Sequence, residues 1–167
     1  MVLATHAVVG ATVASFFPNN PILAFVFAFI SHLLLDTIPH WEYEIFSLKK
    51  DPDNGLNNDM ILGKKFIIDL IRIGTDALIG LAISLILFLY ISHQTTLSII
   101  LIGVIAGILP DPLQFVYMKT KHKALHPLQK FHHKIHGKKL EIHPIIGASL
   151  QIMIVVIIFS VSLFLKK

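Results

Sequence analysis

Three side chains of the types that bind metal ions recur every four residues in the segment 31–40. His32, Asp36 and His40 lie at positions i, i+4 and i+8, at the end of an unbroken apolar run. A helix with 3.6 residues per turn would stack them into one polar stripe. Imidazole and carboxylate groups on successive turns supply close-set ligands for Zn²⁺ or a similar ion. The spacing therefore predicts a metal site on an otherwise hydrophobic helix.

Further ionisable side chains occur at the ends of other apolar stretches and in the loop that follows them. The remaining candidate metal ligands are His6, Asp76, Asp111, His132, His133 and His136. The last three histidines include an i, i+4 and an i, i+3 pair, so two of them can share one face of a short interfacial helix. The spacing leaves open which two. A basic surface segment that attracts anionic lipid headgroups is a compatible alternative interpretation.

Each of these side chains also has a purely structural interpretation. A lone histidine or aspartate in a membrane helix often only contacts a neighbouring helix. Asp69 and Arg72 can form an ion pair that neutralises both charges, whereas Asp76 lacks an obvious cationic partner and is the better ligand or bridging carboxylate. The prolines on either side of Asp111 are expected to open the helix there and present its side chain. Asp111 could instead bond backbone amides in this Pro-Asp-Pro turn. Three side chains of metal-binding types on one stripe nevertheless favour a metal site.

The composition places this chemistry in a membrane protein. Of the 167 residues, 54% are hydrophobic, and the mean hydropathy of +0.74 is too high for an ordinary soluble domain. Because the chain has no cysteine, disulfides and thiolate ligands are excluded, and a metal must be held by imidazole and carboxylate. The lysines behind the formal charge of +4 cluster in loops, a pattern that does not indicate nucleic-acid binding. The first residues lack the basic region of a signal peptide and are expected to be retained.

The apolar stretches predict an all-α, polytopic bundle that forms a single domain over residues 1–167. About five membrane helices are expected, at residues 3–17, 21–39, 66–92, 96–118 and 144–165, of which the first is short. The long loops at 41–65 and 119–143, the second rich in histidine, carry eleven of the fourteen basic residues and should face the cytoplasm. Most candidate ligands then converge on that face, roughly 5 to 15 Å below the interface. Small residues four apart, such as Gly103 and Gly107, predict close helix packing.

Several of these motifs resemble those of a known group of enzymes. Thr5-His6, the segment 31–40, the step at 107–111 and the later His-rich segment are similar, in order and style, to membrane-bound metal-dependent hydrolases of bacterial and archaeal inner membranes. The His-x-x-x-Asp unit is also similar to one in zinc-dependent phospholipase C and related single-strand nucleases. The resemblance implies a prokaryotic inner-membrane location and a cluster of zinc ions on a helical scaffold. It implies ligand roles for His6, His32, Asp36, Asp111 and His136.

The expected function is metal-dependent hydrolysis, with zinc as the first choice of cofactor, in one or more copies, and manganese as the alternative ion. A bound ion would lower the pKa of a coordinated water, and a second ion or Arg72 would stabilise charge on the substrate oxygens. Either His136 or Asp76 would act as the general base. The expected partners are membrane lipids, and the lysine-rich loops favour an anionic phosphoester of a lipid or lipid-linked substrate. The main alternative is a non-enzymatic membrane protein that binds or conducts a divalent metal or protons. A purely structural protein, which predicts no bound metal, is the third interpretation.

Overall fold

A computed structural model describes residues 1–93 and 95–166, and within this part the chain forms seven α-helices and one short strand pair. The helices are α1 (Leu3–Ala14), α2 (Pro21–Leu35), α3 (Lys64–Leu85), α4 (Leu97–Ile108), α5 (Pro110–Thr120), α6 (His126–Ile135) and α7 (Pro144–Leu165). The antiparallel strands β1 (Leu48–Lys49) and β2 (Asp59–Met60) lie in the first long loop, and a π-helical segment, Ile86–Ser92, extends α3. The predicted all-α class is confirmed.

The helix that carries the polar stripe, α2, begins where the sequence predicts and ends earlier. The Asn20 side chain accepts a hydrogen bond from the amide of Leu23, and Pro21 follows as the first helical residue. The helix ends at Leu35, so the prediction that one continuous helix carries the stripe as far as His40 is wrong. Pro39 disfavours helical geometry at the preceding residue and has no amide hydrogen to continue the helical bonding. His40 instead lies in an extended segment that forms a bridge with Lys139.

The short first helix lies at the centre of the bundle. Ten of the twelve residues of α1 are buried, and the helix packs against α2, α3, α4 and α7. It crosses α4 so closely that a Cβ atom added to Gly10 would lie 2.4 Å from the carbonyl oxygen of Gly103. A Cβ atom added to Gly103 would lie 2.7 Å from the Cα atom of Ala11. The close packing that the small residues predict is therefore present between α1 and α4.

Fewer helices have membrane-spanning length than the sequence predicts. Within the described residues, two helices, Lys64–Ser92 and Pro144–Leu165, are long and apolar enough to cross a membrane. The pair α4 and α5, bent by 43°, adds a third if it forms one broken span. With 12 and 15 residues, α1 and α2 are shorter than the roughly 20 residues that a span requires. The expectation of about five spans is thus corrected to two or three candidate spans, because α2 ends a turn early and α1 is an enclosed helix.

The surface of the bundle is strongly apolar, and its interior contains many small or polar side chains. On α3 the buried residues are Asp69, Gly80 and Ser84, whereas large aliphatic side chains such as Ile71 are exposed. On α7 the buried residues include Gln151 and Ser162, and again large aliphatic residues face outward. This arrangement reverses the usual distribution in soluble proteins, which rarely expose continuous apolar surface of this extent. The fold is compatible with a protein that associates with a membrane.

Candidate metal centre

One carboxylate, that of Asp36, lies at the centre of a cluster of histidines at one end of the bundle. Among the described residues, five imidazole Nε2 atoms approach its oxygens: His132 at 2.8 Å, His6 and His32 at 3.1 Å, and His40 and His136 at 3.9 Å. Asp36 is only 1% exposed. A carboxylate this deeply buried requires several compensating partners, and here almost all of those partners are histidines.

Separate parts of the fold deliver these side chains to the cluster. Four of them lie on helices: His6 on α1, His32 on α2, Asp111 on α5 and His132 on α6. Asp36 and His136 directly follow α2 and α6, and His40 lies in the extended segment. Asp111 reaches the site because Pro110 and Pro112 break the chain between α4 and α5. Its Oδ1 atom lies 3.5 Å from Nε2 of His32. The proline-induced break that the sequence predicts at this point is confirmed.

Backbone carbonyl groups orient three of the imidazole rings. In each ring Nδ1 donates a hydrogen bond to a backbone carbonyl oxygen. His32 donates to Gly107 (2.7 Å), His40 to Ile38 (2.7 Å) and His136 to Gly137 (3.0 Å). Because a carbonyl oxygen can only accept, the proton of each neutral ring is fixed on Nδ1. The unprotonated Nε2 atoms then face the cluster, which is the arrangement that neighbouring residues impose on metal-binding histidines.

Two of the buried rings carry nitrogen atoms that lack hydrogen-bond partners among the described residues. These atoms are Nε2 of His32 and both ring nitrogens of His6. Both Nε2 atoms lie 3.1 Å from Asp36 without the alignment of a hydrogen bond. An unsatisfied buried polar group costs about 1–3 kcal/mol. A metal ion beside Asp36 would satisfy Nε2 of His32, so the residues fit a metal. His6 faces Asp36 from α1 and is not among the side chains whose ligand atoms lie together.

The side chains form two groups that share Asp36. The first contains His32, Asp36, Asp111 and His132, and the second contains Asp36, His40 and His136; within each group one ligand atom per residue lies within 4.8 Å of all the others. In the first group the distances of 3.1 and 3.5 Å from His32 to the two carboxylates are close to the roughly 3.3 Å that separates ligands in a zinc tetrahedron. Imidazole and carboxylate ligands suit Zn²⁺ and Mn²⁺ alike. The cluster could therefore hold a divalent metal ion.

Glu42 belongs to this site although the sequence analysis missed it. Its Oε1 atom lies 2.9 Å from Nε2 of His40 and 3.3 Å from Nε2 of His136. Burial raises the pKa of Glu42, but hydrogen bonds from these histidines in their protonated form outweigh burial and hold the pKa below its usual range. The same contact raises the pKa of His136. Its position two residues after His40 is the signal that could have identified Glu42.

Three side chains predicted as site residues have other contacts. The carboxylate of Asp76 accepts a hydrogen bond from the amide of Leu3 (2.6 Å), so it caps the first turn of α1. The guanidinium of Arg72 donates to the backbone oxygen of Glu44 and stacks on two aromatic rings. His133 is exposed and its ring packs against Gly55, whereas its neighbour His132 faces Asp36. Spacing alone could not distinguish these two histidines.

The chain matches no family model, no curated protein and no solved structure. Its own geometry therefore defines the class of protein. It is an all-helical bundle with an apolar surface, compatible with membrane association, and with a cluster of histidines and aspartates at one end that could hold a metal ion.

Proposed function

We propose that this protein is a membrane-embedded, metal-dependent hydrolase, most simply a zinc enzyme, that acts from the cytoplasmic interface on a phosphoester of a lipid or lipid-linked substrate. The observation that carries the proposal is the buried Nε2 atom of His32, which belongs to the first ligand group and faces Asp36 without hydrogen-bond alignment. A merely structural cluster would be expected to pair this atom.

The residues of the site divide into a buried group and an exposed edge. When bound, a divalent ion lowers the pKa of a coordinated water and polarises a phosphoryl oxygen. His32, His132 and Asp36 would hold the ion from the buried side. Asp111 and His136 are about one-third exposed at 31% and 32% of their side chains, so they form an edge that water and substrate can reach.

The surroundings of the site support a substrate with an apolar tail and an anionic head. Leu34 and Ile38, on either side of Asp36, are exposed at 62% and 44% and offer apolar surface for a lipid chain. Lys138 and Lys139, exposed beside the site, add positive charge that favours an anionic headgroup. The same lysines support a cytoplasmic orientation by the positive-inside rule.

The polar groups nearer the other end of the bundle do not favour a conducting pathway. Thr12, Ser84 and Ser162 each donate a hydrogen bond to a carbonyl of their own helix three or four residues earlier. Phe88 and Ile100, both completely buried, fill the core in this region. Hydroxyl groups bonded within their own helix offer little to a passing ion. In the described part of the chain, the site is therefore one-sided.

The hydrolase proposal is tested on the full chain purified in detergent and loaded with Zn²⁺ or Mn²⁺. We expect at least one bound ion per chain by elemental analysis, and hydrolysis of an anionic phospholipid such as phosphatidylglycerol. Asp36→Asn keeps the shape of the side chain but removes the charge shared by the ligand groups, so metal should be lost and the rate should fall about 100-fold or more. His122→Ala, an exposed histidine on the same loop as α6, is the control that should behave like wild type.

Each alternative outcome assigns the protein to a different class. Wild-type protein that binds no ion after loading would contradict the proposal. Bound metal together with metal flux into proteoliposomes, and with no hydrolysis of phospholipid or soluble phosphodiester, would indicate the transport alternative.

A further inference from the structure

Glu42 brings a carboxylate to the second, more exposed group of ligands. We propose that Glu42, His40 and His136 form a second metal position at the exposed edge of the centre. This position adjoins the buried one through Asp36, which both groups share. The inference rests on the proposed function and adds to it a second ion in a more exposed environment.

The geometry of Glu42 favours a ligand. Both histidine Nε2 atoms converge on the same carboxylate oxygen, at 2.9 Å from His40 and 3.3 Å from His136. The two rings meet edge to face with centroids 5.1 Å apart, so their Nε2 atoms approach from different directions. These separations are near the roughly 3.3 Å expected between ligands of one zinc ion. The amino group of Met1 contacts the same position: it lies 2.5 Å from Nε2 of His40 and 3.7 Å from the same Glu42 oxygen, so a metal ion bound here would displace it.

The backbone holds this set of side chains in place. The segments 36–40 and 136–140 run side by side and are joined by three backbone hydrogen bonds. The amide of Gly137 donates to the carbonyl of Asp36 (2.6 Å), that of His40 to Lys138 (3.3 Å) and that of Leu140 to His40 (2.8 Å). A Cβ atom at Gly137 would lie 2.9 Å from the backbone of Ile38, so only glycine allows this close approach. The two histidines are thus positioned by paired backbone, the pre-organisation that a binding site requires.

The two positions differ in exposure, and this predicts different affinities. The Glu42 side chain is 31% exposed, and that of His136 is 32% exposed. In the first group only Asp111 is comparably exposed, at 31%, whereas His32 and His132 are exposed by 0% and 3%. The hydrophobic shell around a metal controls solvent access, so an ion at the exposed position should exchange faster and be lost first. A substrate can reach this position past two exposed ligands, Glu42 and His136.

The test measures metal binding separately from hydrolysis. Full-length protein in detergent is titrated with Zn²⁺ by equilibrium dialysis against a chelator, and bound zinc is measured by elemental analysis. Wild type should bind about two ions in two steps, and Glu42→Gln should weaken the second step at least about 10-fold while keeping the first. Glu44→Gln is the matched control, because Glu44 is an exposed carboxylate two residues later whose side chain lies outside the cluster. Asp111→Asn should weaken the first step instead.

The outcomes separate this inference from the proposed function. One tightly bound ion in wild type, or two ions of unchanged affinity in Glu42→Gln, would overturn the second position and leave the hydrolase proposal standing. Loss of both ions in Glu42→Gln would also overturn it, because the two positions would not be separate. Two ions without phosphoester hydrolysis would support the second position and contradict the hydrolase.

Discussion

At the scale of single residues, the site depends on the two oxygens of Asp36, which face different histidines. Oδ1 lies near His6, whereas Oδ2 lies nearest to His132 and His32. An ionised carboxylate has about four lone-pair directions, so it can serve two ions and still accept other contacts. No second side chain in the described part of the chain belongs to both ligand groups. The loss of Asp36 should therefore disable the whole centre, whereas the loss of one histidine should weaken one position.

Neighbouring histidines on α6 provide a direct test at this scale. His132→Ala should lower zinc affinity by about 10-fold or more, because it removes a ligand whose Nε2 atom lies 2.8 Å from Asp36. His133→Ala should leave affinity unchanged, since His133 is exposed and packs against Gly55. Zinc competition with a chromophoric chelator measures both variants. Equal losses in the two would contradict the structure of this helix.

The residue types of the site were predictable, but their final contacts were not. The four-residue spacing and the lack of cysteine identified His32, Asp36 and the kind of ligand. They could not indicate that Asp76 would cap α1, because that contact joins residues 73 positions apart in the sequence. Glu42 was missed because no periodic pattern includes it. Long-range packing, which a short pattern does not encode, decided the contact of Asp76 with α1 and that of Glu42 with His136.

At the scale of helices, the packing of α1 against α4 also holds a ligand in position. Gly107 lets the helices approach, since a Cβ atom there would lie 2.5 Å from the carbonyl oxygen of His6. The carbonyl of Gly107 also accepts the hydrogen bond that orients His32. One glycine thus couples the distance between two helices to the direction of an imidazole ring. Helix packing and metal affinity should therefore change together when this residue is altered.

Gly107→Ala should reveal this coupling. The added methyl group has to push α1 and α4 apart, which costs about 1–3 kcal/mol of the free energy of unfolding and should also weaken zinc binding. Gly74→Ala on α3 is the matched control, because its Cβ atom would meet nothing within 4 Å. Alanine has the better helix propensity, so this variant should be stabilised by up to about 1 kcal/mol. Thermal unfolding with and without zinc checks both, and an unaffected Gly107→Ala would show that the helices can separate freely.

The ends of the helices were only partly predictable. The sequence identified the break before Asp111, because prolines interrupt the helical bonding directly. It extended α2 through His40, because the four-residue spacing imitates a helical stripe although Pro39 lies within it. The ligands of the stripe meet nevertheless, since the bridge between His40 and Lys139 returns the chain toward Asp36. The same cluster is reached through a different local structure.

At the scale of the whole molecule, the apolar surface of α3 and α7 makes a simple prediction. Most of the large aliphatic residues on these two helices face outward, so the protein should remain with membranes after washing at high salt and at alkaline pH, and should require detergent for release. Fractionation and immunoblotting measure this. Release into the wash would contradict a membrane-spanning role for both helices. The hydropathy of the sequence was enough to anticipate the apolar surface, whereas the number of candidate spans depended on the enclosed position of α1.

The capping of α1 has a consequence for the order in which the protein is assembled. The amide of Val2 and the hydroxyl of Thr5 both donate to the side-chain oxygen of Gln151 on α7, across 149 and 146 positions of sequence. At roughly 5–20 residues per second, a ribosome needs on the order of 7 to 30 s to make that stretch. During this interval the first turn of α1 cannot reach its final partner. The first turn of α1 therefore gains these contacts only after α7 has been made, and a chain that stops before α7 cannot form these two hydrogen bonds.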